Sequence, residues 1–459
     1  MTTHSSECNL KVDHLNILLT PKLIINGKET SCVSGKQMTL VDPSTGKEWF
    51  KVDEVDKEDV EIAVKHAEDA WPAWAATPAA IKAGALRKLG ELTSRTPMSP
   101  LKSSMLTMMT LRPITHMRTG DIPMLRMFLN YFASLVETAH STVSTNTSGL
   151  LNYTLELPFG VTAGILPWNV VFEVSPAVGA GNAIIIKPSE KAPLTVSSVR
   201  LVLIFIRHLP YVLPGYGPTV GAVLASHMRI RRISFTGSLA IGKLIQQMSG
   251  QSNLKSVTLE LGGKSPAIIF PDADLPAAAR NLAASVLRTS VQDFLPLYRE
   301  AFDPNAKVIG SAHDETTTHG PQVDKVQHDK IKNYLKLGKS EGGKVLIGGS
   351  AVDREGFFIQ PTVFTEVDDS SVISREEIFG SYGLYASVFT KDIERAMRFA
   401  RVLEAGSVGH EPKHCFGSYL SQYAVWWIQA ELKVWHGARA GQNALSSWKQ
   451  TKSVSVKLE

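Results

Sequence analysis

Cysteine is scarce in this chain: Cys8, Cys32 and Cys415 are its only cysteines among 459 residues. An odd and sparse set excludes a disulfide framework and is typical of a protein from a reducing compartment. No cysteine lies in a Cys-x-x-Cys or Cys/His pattern, so the sequence predicts no metal site.

Long apolar runs and a strong excess of one charge are also missing. The most apolar run, 201–206, is far shorter than the roughly 20 residues that a membrane-spanning helix needs. The first residues, MTTHSSECNLKVDH, contain no apolar signal core. The net charge is +5, from 48 basic and 43 acidic residues, which is too small to indicate a nucleic-acid partner. These absences predict a cytoplasmic protein with neither a membrane nor a nucleic-acid partner.

The remaining composition is that of a globular protein. Hydrophobic residues make up 44% and charged residues 20% of the chain. At roughly 100–200 residues per domain, its length predicts two to four domains.

The pattern of elements predicts an α/β fold. KLIINGKET indicates short strands joined at an Asn-Gly turn. Residues 57–74 place Val60, Ala63, Val64 and Ala67 at helical spacing and predict an amphipathic helix. From about residue 157, β-rich runs with polar exits alternate with helical stretches, which indicates a parallel sheet. Ligands bind such sheets at the carboxyl ends of the strands, so the exit residues are candidates for a site.

A series of segments then carries a more specific pattern. They are LPFGVTAGILPWN (157–169), GNAIIIKPSEKAPLT (181–195), ISFTGSLAIG (233–242), VTLELGGKSPAIIFPDADL (257–275), THGPQVDKVQHDKI (318–331), GFFIQPTVF (356–364), REEIFG (375–380), FTKDIERAMRFARVLEAGSV (389–408) and TKSVSVKLE (451–459). In this order they resemble the NAD(P)-dependent aldehyde dehydrogenase superfamily.

The resemblance implies an aldehyde dehydrogenase-like architecture. It implies a Rossmann-type NAD-binding domain (1–149 and 158–260), a smaller α/β catalytic domain (261–440) and a β oligomerisation arm (150–157 and 451–459). The alternation of Val454 and Val456 with polar residues suits an edge strand that pairs with a partner subunit. A homodimer or homotetramer is therefore expected.

The resemblance also implies that NAD is the cofactor. Lys187 and Glu190 would lie near the adenine ribose, where a carboxylate accepts from both hydroxyls and repels a 2′-phosphate. The alternative is a surface ion pair. Gly237, Ser238 and Gly242 form a glycine turn that opens a helix, which brings backbone N–H groups to the pyrophosphate.

The catalytic roles come from the same resemblance, which implies oxidation of an aldehyde to a carboxylate. Asn169 would donate to a developing oxyanion, or would only cap a turn. Glu260, between two leucines, would be the general base, with an expected raised pKa, or would pair with Lys255 or Lys264. Glu377 and Phe379 match residues that hold the nicotinamide ribose and ring.

The chain departs from the family pattern where the nucleophile belongs. The chemistry needs a cysteine thiolate, yet neither Cys nor Gly occurs from Lys264 to Ile309. Segments expected after Asn169 and after Gly380 are also shortened. Three hypotheses remain open: an aldehyde dehydrogenase, a catalytically inactive dinucleotide-binding pseudoenzyme, or a defective gene reading.

The third hypothesis has support in residues 409–442, where the family has a Pro-Phe-Gly-Gly loop. Trp426-Trp427 can only be encoded by TGG TGG, which one base later begins GGT GG, the codons of Gly-Gly. This stretch is therefore interpreted as translated out of frame.

Overall fold

The computed structural model describes most of the chain. The residues described are 8–12, 15–19, 22–95, 122–168, 174–194, 210–262, 267–283, 294–301, 308–311, 314, 316–376, 378, 385–403, 407–410 and 443–457. Side-chain exposure is described from residue 22 onward within these ranges, except at 92–95, 122–124, 210, 280–283, 294–295, 298, 301, 385, 407–410 and 443–444.

The described strands fall into six sheets. They are β1 Cys8–Val12, β2 Leu15–Leu19, β3 Leu23–Ile25, β4 Lys28–Thr30, β5 Gln37–Asp42, β6 Lys47–Asp53, β7 Val143–Ser144, β8 Leu150–Pro158, β9 Val161–Ile165, β10 Ala183–Lys187, β11 Pro210–Val212, β12 Arg232–Gly237, β13 Ser256–Leu261, β14 Ala267–Ile269, β15 Lys344–Ile347, β16 Val363–Thr365, β17 Tyr385–Phe389, β18 Ser407–His410 and β19 Lys449–Lys457.

Helices lie between them, together with one π-helical turn at Gly217–Gly221. The α-helices are α1 Lys57–Ala75, α2 Ala79–Arg95, α3 Ile122–Thr138, α4 Val174–Gly179, α5 Ala222–Ser226, α6 Leu239–Gln251, α7 Leu275–Ala283, α8 Phe294–Ala301, α9 Lys325–Ser340, α10 Val372–Arg375, α11 Ile393–Val402 and α12 Asn443–Ser446.

Local signals in the sequence account for the first elements. Asn26 and Gly27 have φ of 52° and 70°, the left-handed backbone that a tight hairpin turn between β3 and β4 requires. The side chain of Asp56 caps α1 by accepting from the Glu58 amide, and Asp59 reciprocates at the Asp56 amide. The helix predicted over 57–74 is confirmed, and its four periodic apolar residues are fully buried.

The largest sheet has the order β13-β12-β9-β10-β11-β3-β4. Its first five strands are parallel, and β3 and β4 complete it antiparallel. Strands β9 and β10 are buried along their whole length, as expected for parallel strands covered on both faces. The mixed α/β fold with a parallel sheet is thus confirmed.

The strand order reverses beside β9. The chain runs from β9 through β10 to β11 on one side, and then crosses to β12 and β13 on the other. The carboxyl ends of β9 and β12 therefore lie next to each other at a topological switch point, which is where open α/β sheets bind ligands.

A second parallel sheet has the order β14-β17-β18. Apolar side chains of its strands and of α7, β15 and β16 form a separate small core. Another apolar cluster, of Tyr334, Val367 and Ile373, lies between α9 and α10. These elements carry the segments expected to belong to the catalytic domain; the domain boundaries themselves stay a prediction.

The segments expected to form the arm pair with each other. β19 runs antiparallel to β8 in a nine-residue register from Lys449↔Pro158 to Lys457↔Leu150, and β7 joins the other edge of β8. The chain enters β19 through Trp448, whose side chain is fully buried against the large sheet.

The buried side-chain amide of Asn182 holds the backbone at Trp448 in place. Asn182 Nδ2 donates to the Trp448 and Ala177 carbonyls at 2.9 and 3.1 Å, and its Oδ1 accepts from the Gly160 amide at 3.0 Å. Asn182 has no exposed surface. Its side chain therefore satisfies three buried backbone groups at once.

Asn182→Ala should lower the free energy of unfolding by about 3 kcal/mol, because each buried backbone group left without a partner costs about 1–3 kcal/mol. Urea denaturation followed by circular dichroism measures the change. Asn333→Ala, on the exposed face of α9, is the matched control and should stay within about 0.5 kcal/mol of the parent. Equal midpoints for the two variants would contradict this role for Asn182.

Candidate active site

The turn after β12 lies at the switch point. Ser238 has extended backbone angles and caps α6, with its Oγ accepting from the Ile241 amide at 3.4 Å. The first amides of α6 thus start at the carboxyl end of β12. A helix start in this position favours an anion through its N–H groups and its dipole.

Two glycines allow the close packing of this turn. A Cβ on Gly242 would lie 2.5 Å from Leu261 Cδ2 of β13, so α6 contacts the strand more closely than a side chain permits. A Cβ on Gly237 would lie 2.5 Å from the Phe235 ring. The structure therefore brings together Gly237, Ser238 and Gly242 as predicted, in the strand–turn–helix context that the motif requires.

Glu260 lies one strand away from this turn. In the parallel register of β12 and β13, Thr236 is opposite Glu260, and Gly237 is opposite Leu261. Glu260 is 8% exposed. The predicted base is thus a buried carboxylate at the same end of the sheet as the glycine turn.

Lys255, one of the two lysines considered as an alternative partner of Glu260, donates to other acceptors. Lys255 Nζ donates to the Ala225 carbonyl at 2.5 Å and to Ser252 Oγ at 2.7 Å, at the opposite end of β13. Burial lowers the pKa of Lys255 to about 8. Lys264 lies outside the described residues.

Lys187 and Glu190 meet at the end of β10. Lys187 Nζ lies 3.2 Å from Glu190 Oε2 and 3.0 Å from the Pro188 carbonyl oxygen. The Lys187 side chain is only 3% exposed, and that of Glu190 35%. Burial lowers the pKa of Lys187, and the Glu190 carboxylate opposes this. The two residues therefore form the ion pair that was the alternative to a ribose site, but with a buried cation; the ribose-binding role stays a prediction.

A further turn at this sheet end was not singled out from the sequence. After β11 the chain runs through Pro214-Gly215-Tyr216-Gly217 into the π-helical turn. A Cβ on Gly221 would be 3.9 Å from Lys187 Cδ, so this turn lies next to the end of β10. The Tyr216 side chain in the turn is 41% exposed. The Pro and Gly residues on both sides of Tyr216 are a strong turn signal that could have identified this segment.

Three of the predicted site residues, Asn169, Glu377 and Phe379, lie outside the described residues. So do the segment 284–293, where the nucleophile loop is expected, and the segment 411–442 with its tandem tryptophans. Their neighbours are placed: Trp168 is half-buried after β9, and Glu376 Oε2 accepts from the Tyr334 hydroxyl at 2.8 Å.

The thiol of Cys32 cannot reach Glu260. Cys32 follows β4, and six strand spacings of the sheet, about 29 Å, separate β4 from β13. Its Sγ is buried and donates to the Lys36 carbonyl at 3.3 Å, and burial raises the pKa of this thiol. Cys8 belongs to the separate β1–β2 hairpin, and Cys415 lies outside the described residues.

The described ranges also lack two further features. They contain no group of three or more His, Cys, Asp or Glu side chains placed to hold a metal ion. None of the helices in these ranges is both long and apolar enough to cross a membrane.

Gly242→Val should lower the free energy of unfolding by about 1–3 kcal/mol, because its side chain overlaps Leu261 and pushes α6 away from β13. Gly250→Val on the same helix is the control. Nothing lies within 4 Å of its Cβ position, so urea denaturation should show a change within about 0.5 kcal/mol. Leu261→Ala added to Gly242→Val should recover part of the loss; a Gly250 variant as unstable as the Gly242 variant would refute the packing argument.

Comparisons with known proteins agree with this geometry. The sequence model of the aldehyde dehydrogenase family matches residues 30–381. Cytosolic aldehyde dehydrogenase 1 of Rattus norvegicus is 34% identical over 444 residues, covering 87% of this chain and 87% of the relative. Retinaldehyde dehydrogenase 3 of Homo sapiens is 33% identical over 481 residues, covering 95% and 93%.

Solved structures agree as well. Indole-3-acetaldehyde dehydrogenase AldA of P. syringae, in complex with NAD+ and IAA, superposes with a TM-score of 0.85 at 28% identity over 98% of both chains. The aldehyde dehydrogenase KauB of Pseudomonas aeruginosa gives 0.85 at 28% identity, over 96% of this chain and 97% of its own. By the family match, by its identity to these relatives and by its fold, the chain belongs to the aldehyde dehydrogenase family.

Proposed function

We propose that this protein is an NAD-dependent oxidoreductase whose site is built to oxidise an aldehyde to a carboxylate. One observation carries the proposal: the register of β12 and β13 puts a buried Glu260 beside the glycine turn that opens α6. The fold brings a carboxylate base and an anion-binding helix start to one end of one sheet. Relatives with this fold are named aldehyde dehydrogenases, and the AldA structure contains NAD+.

The residues present fit a dinucleotide. Gly237 and Gly242 allow α6 to pack closely on the sheet, so the first amides of α6 start at the strand end where a pyrophosphate would bind. Glu190, held by the buried Lys187, offers a carboxylate to the hydroxyls of a ribose. When bound, NAD supplies the acceptor for the hydride that leaves the substrate carbon.

Glu260 would act on water. A carboxylate that is 8% exposed and lies at the sheet end can take a proton from a water molecule that attacks an acyl intermediate. Asn169, Glu377 and Phe379 keep the roles that the resemblance implies as proposals, since they lie outside the described residues.

The distribution of cysteines favours a second candidate function, dinucleotide binding without oxidation. No cysteine occurs between Cys32 and Cys415, and Cys32 is buried about 29 Å from the Glu260 strand. Among the side chains that the structure describes, no thiolate faces Glu260, and the covalent step needs one as its nucleophile. Sequencing the messenger RNA tests the related gene-reading hypothesis: a corrected transcript should insert a cysteine between Val286 and Val291 and restore Gly-Gly at Trp426-Trp427.

We also propose a cytoplasmic homodimer or homotetramer. One face of the β8–β19 pair carries Tyr153, Leu155, Leu157, Val454 and Val456. Leu155, Leu157 and Val456 are 37–41% exposed. An edge strand with an apolar face of this kind supports pairing with a second copy.

The parent chain should bind NAD+ at least about tenfold more tightly than NADP+, because the Glu190 carboxylate repels a 2′-phosphate. Calorimetric titration measures both constants. Glu190→Gln should narrow the ratio, whereas Glu394→Gln, at the first turn of the distant α11, should leave it unchanged. Equal binding of the two dinucleotides by the parent would contradict the assignment of Glu190.

An assay of NADH formation with a panel of aldehydes separates the two candidates. Turnover that falls about 10²–10⁴-fold in Glu260→Gln would establish oxidation with Glu260 as base. NAD+ binding with no NADH formation would establish the second candidate. In a chain that turns over, Cys32→Ser should retain activity because Cys32 lies at the far edge of the sheet.

A further inference from the structure

Beside the proposed ribose site, an ion pair joins the turn after β10 to the start of α9. Lys191 Nζ, in the turn after β10, lies 2.6 Å from Asp324 Oδ2 at the start of α9. The two side chains are 32% and 26% exposed, so water surrounds this pair less than a pair on the open surface. It ties the large parallel sheet to the helix that packs against α10 and β15.

The turn that carries Lys191 also carries Glu190. Within the turn, the Lys191 amide donates to Ser189 Oγ at 3.3 Å and the Ala192 amide to the Ser189 carbonyl at 3.1 Å. The buried Lys187 holds the Glu190 carboxylate from the side of the sheet. Lys191, the next residue, pairs with Asp324, so ion pairs to two different elements flank this turn.

Asp324 is a rigid partner for this tether. Its Oδ1 accepts from the Gln327 amide at 2.7 Å and caps α9, which leaves Oδ2 for Lys191. The preceding Gln322 amide donates to the Phe357 carbonyl at 2.8 Å. Since the cap and the ion pair use different oxygens, replacing Asp324 by Asn removes the charge and keeps the cap.

We propose that Asp324 is a positioning residue for dinucleotide binding, which acts through Lys191 to hold the turn that presents Glu190. The inference rests on the proposed NAD site. It makes NAD+ affinity depend on a contact from the start of α9, about 80 residues after the glycine turn in the chain. It also makes that affinity sensitive to salt, because a partly exposed ion pair is screened.

Titration calorimetry with NAD+ on the full chain tests this. Asp324→Asn and Lys191→Gln should each weaken binding about three- to tenfold, and the double variant no more than either single one, because both remove the same pair. The loss should shrink at high salt, and Lys191→Arg should restore most of the affinity. Asp392→Asn, which also caps a helix and pairs with an arginine but lies on α11, is the matched control and should bind like the parent.

Amide hydrogen exchange of the unliganded chain provides a readout that does not need NAD+. Residues 188–192 should exchange faster in Asp324→Asn than in the parent, while the amides of α9 keep their protection. Unchanged exchange of this turn would overturn the inference, as would single variants that bind NAD+ like the parent or effects that add in the double variant. A parent that binds no NAD+ would instead refute the proposed function, and the tether would then be judged by the exchange result alone.

Discussion

The side-chain amide of Asn182 is the contact on which the arrangement of the large sheet depends. It fixes the backbone at Gly160, just before β9, at Ala177 in α4, and at Trp448, just before β19. β9 is the strand at which the sheet order reverses, so its starting point sets where the switch point lies. Only a side chain that both donates and accepts can satisfy these three groups, which excludes Asp or Leu at this position.

Arg232 extends the same connection to the strands of the site. Its guanidinium lies 4.5 Å over the Trp448 ring and donates to Ser256 and Thr258 of β13 at 3.1 and 2.7 Å. Burial lowers the pKa of Arg232 to about 9, so it stays charged at neutral pH. Burying a cation costs free energy, and the hydroxyls and the indole face offset part of that cost. Arg232 of β12 therefore connects Trp448, which precedes the arm strand β19, with β13, the strand that carries Glu260.

Local patterns in the sequence predicted much of this fold. The Asn26-Gly27 turn and helix α1 depend on residues close together in the chain. So does the i,i+3 ion pair of Lys187 and Glu190, which the sequence offered only as the alternative to a ribose-binding role. The family motifs located Glu260 and the glycine turn, and the register of β12 and β13 explains why they meet. The contact of Lys191 with Asp324 and that of Asn182 with Trp448 were not predictable, because no periodicity or turn chemistry links residues so distant in sequence. The turn at Tyr216 had a local signal in its Pro and Gly residues and was still missed.

The late position of Trp448 in the chain has a consequence during synthesis. All strands of the large sheet have left the ribosome once Leu261 has emerged, but the indole that covers Arg232 is made about 190 residues later. At about 5–20 residues per second, translation leaves this gap open for roughly 10–40 seconds. Throughout that interval the nascent sheet exposes a hydrated guanidinium and an Asn182 amide that lacks one acceptor. The nascent sheet can therefore complete its packing only after Trp448 has emerged.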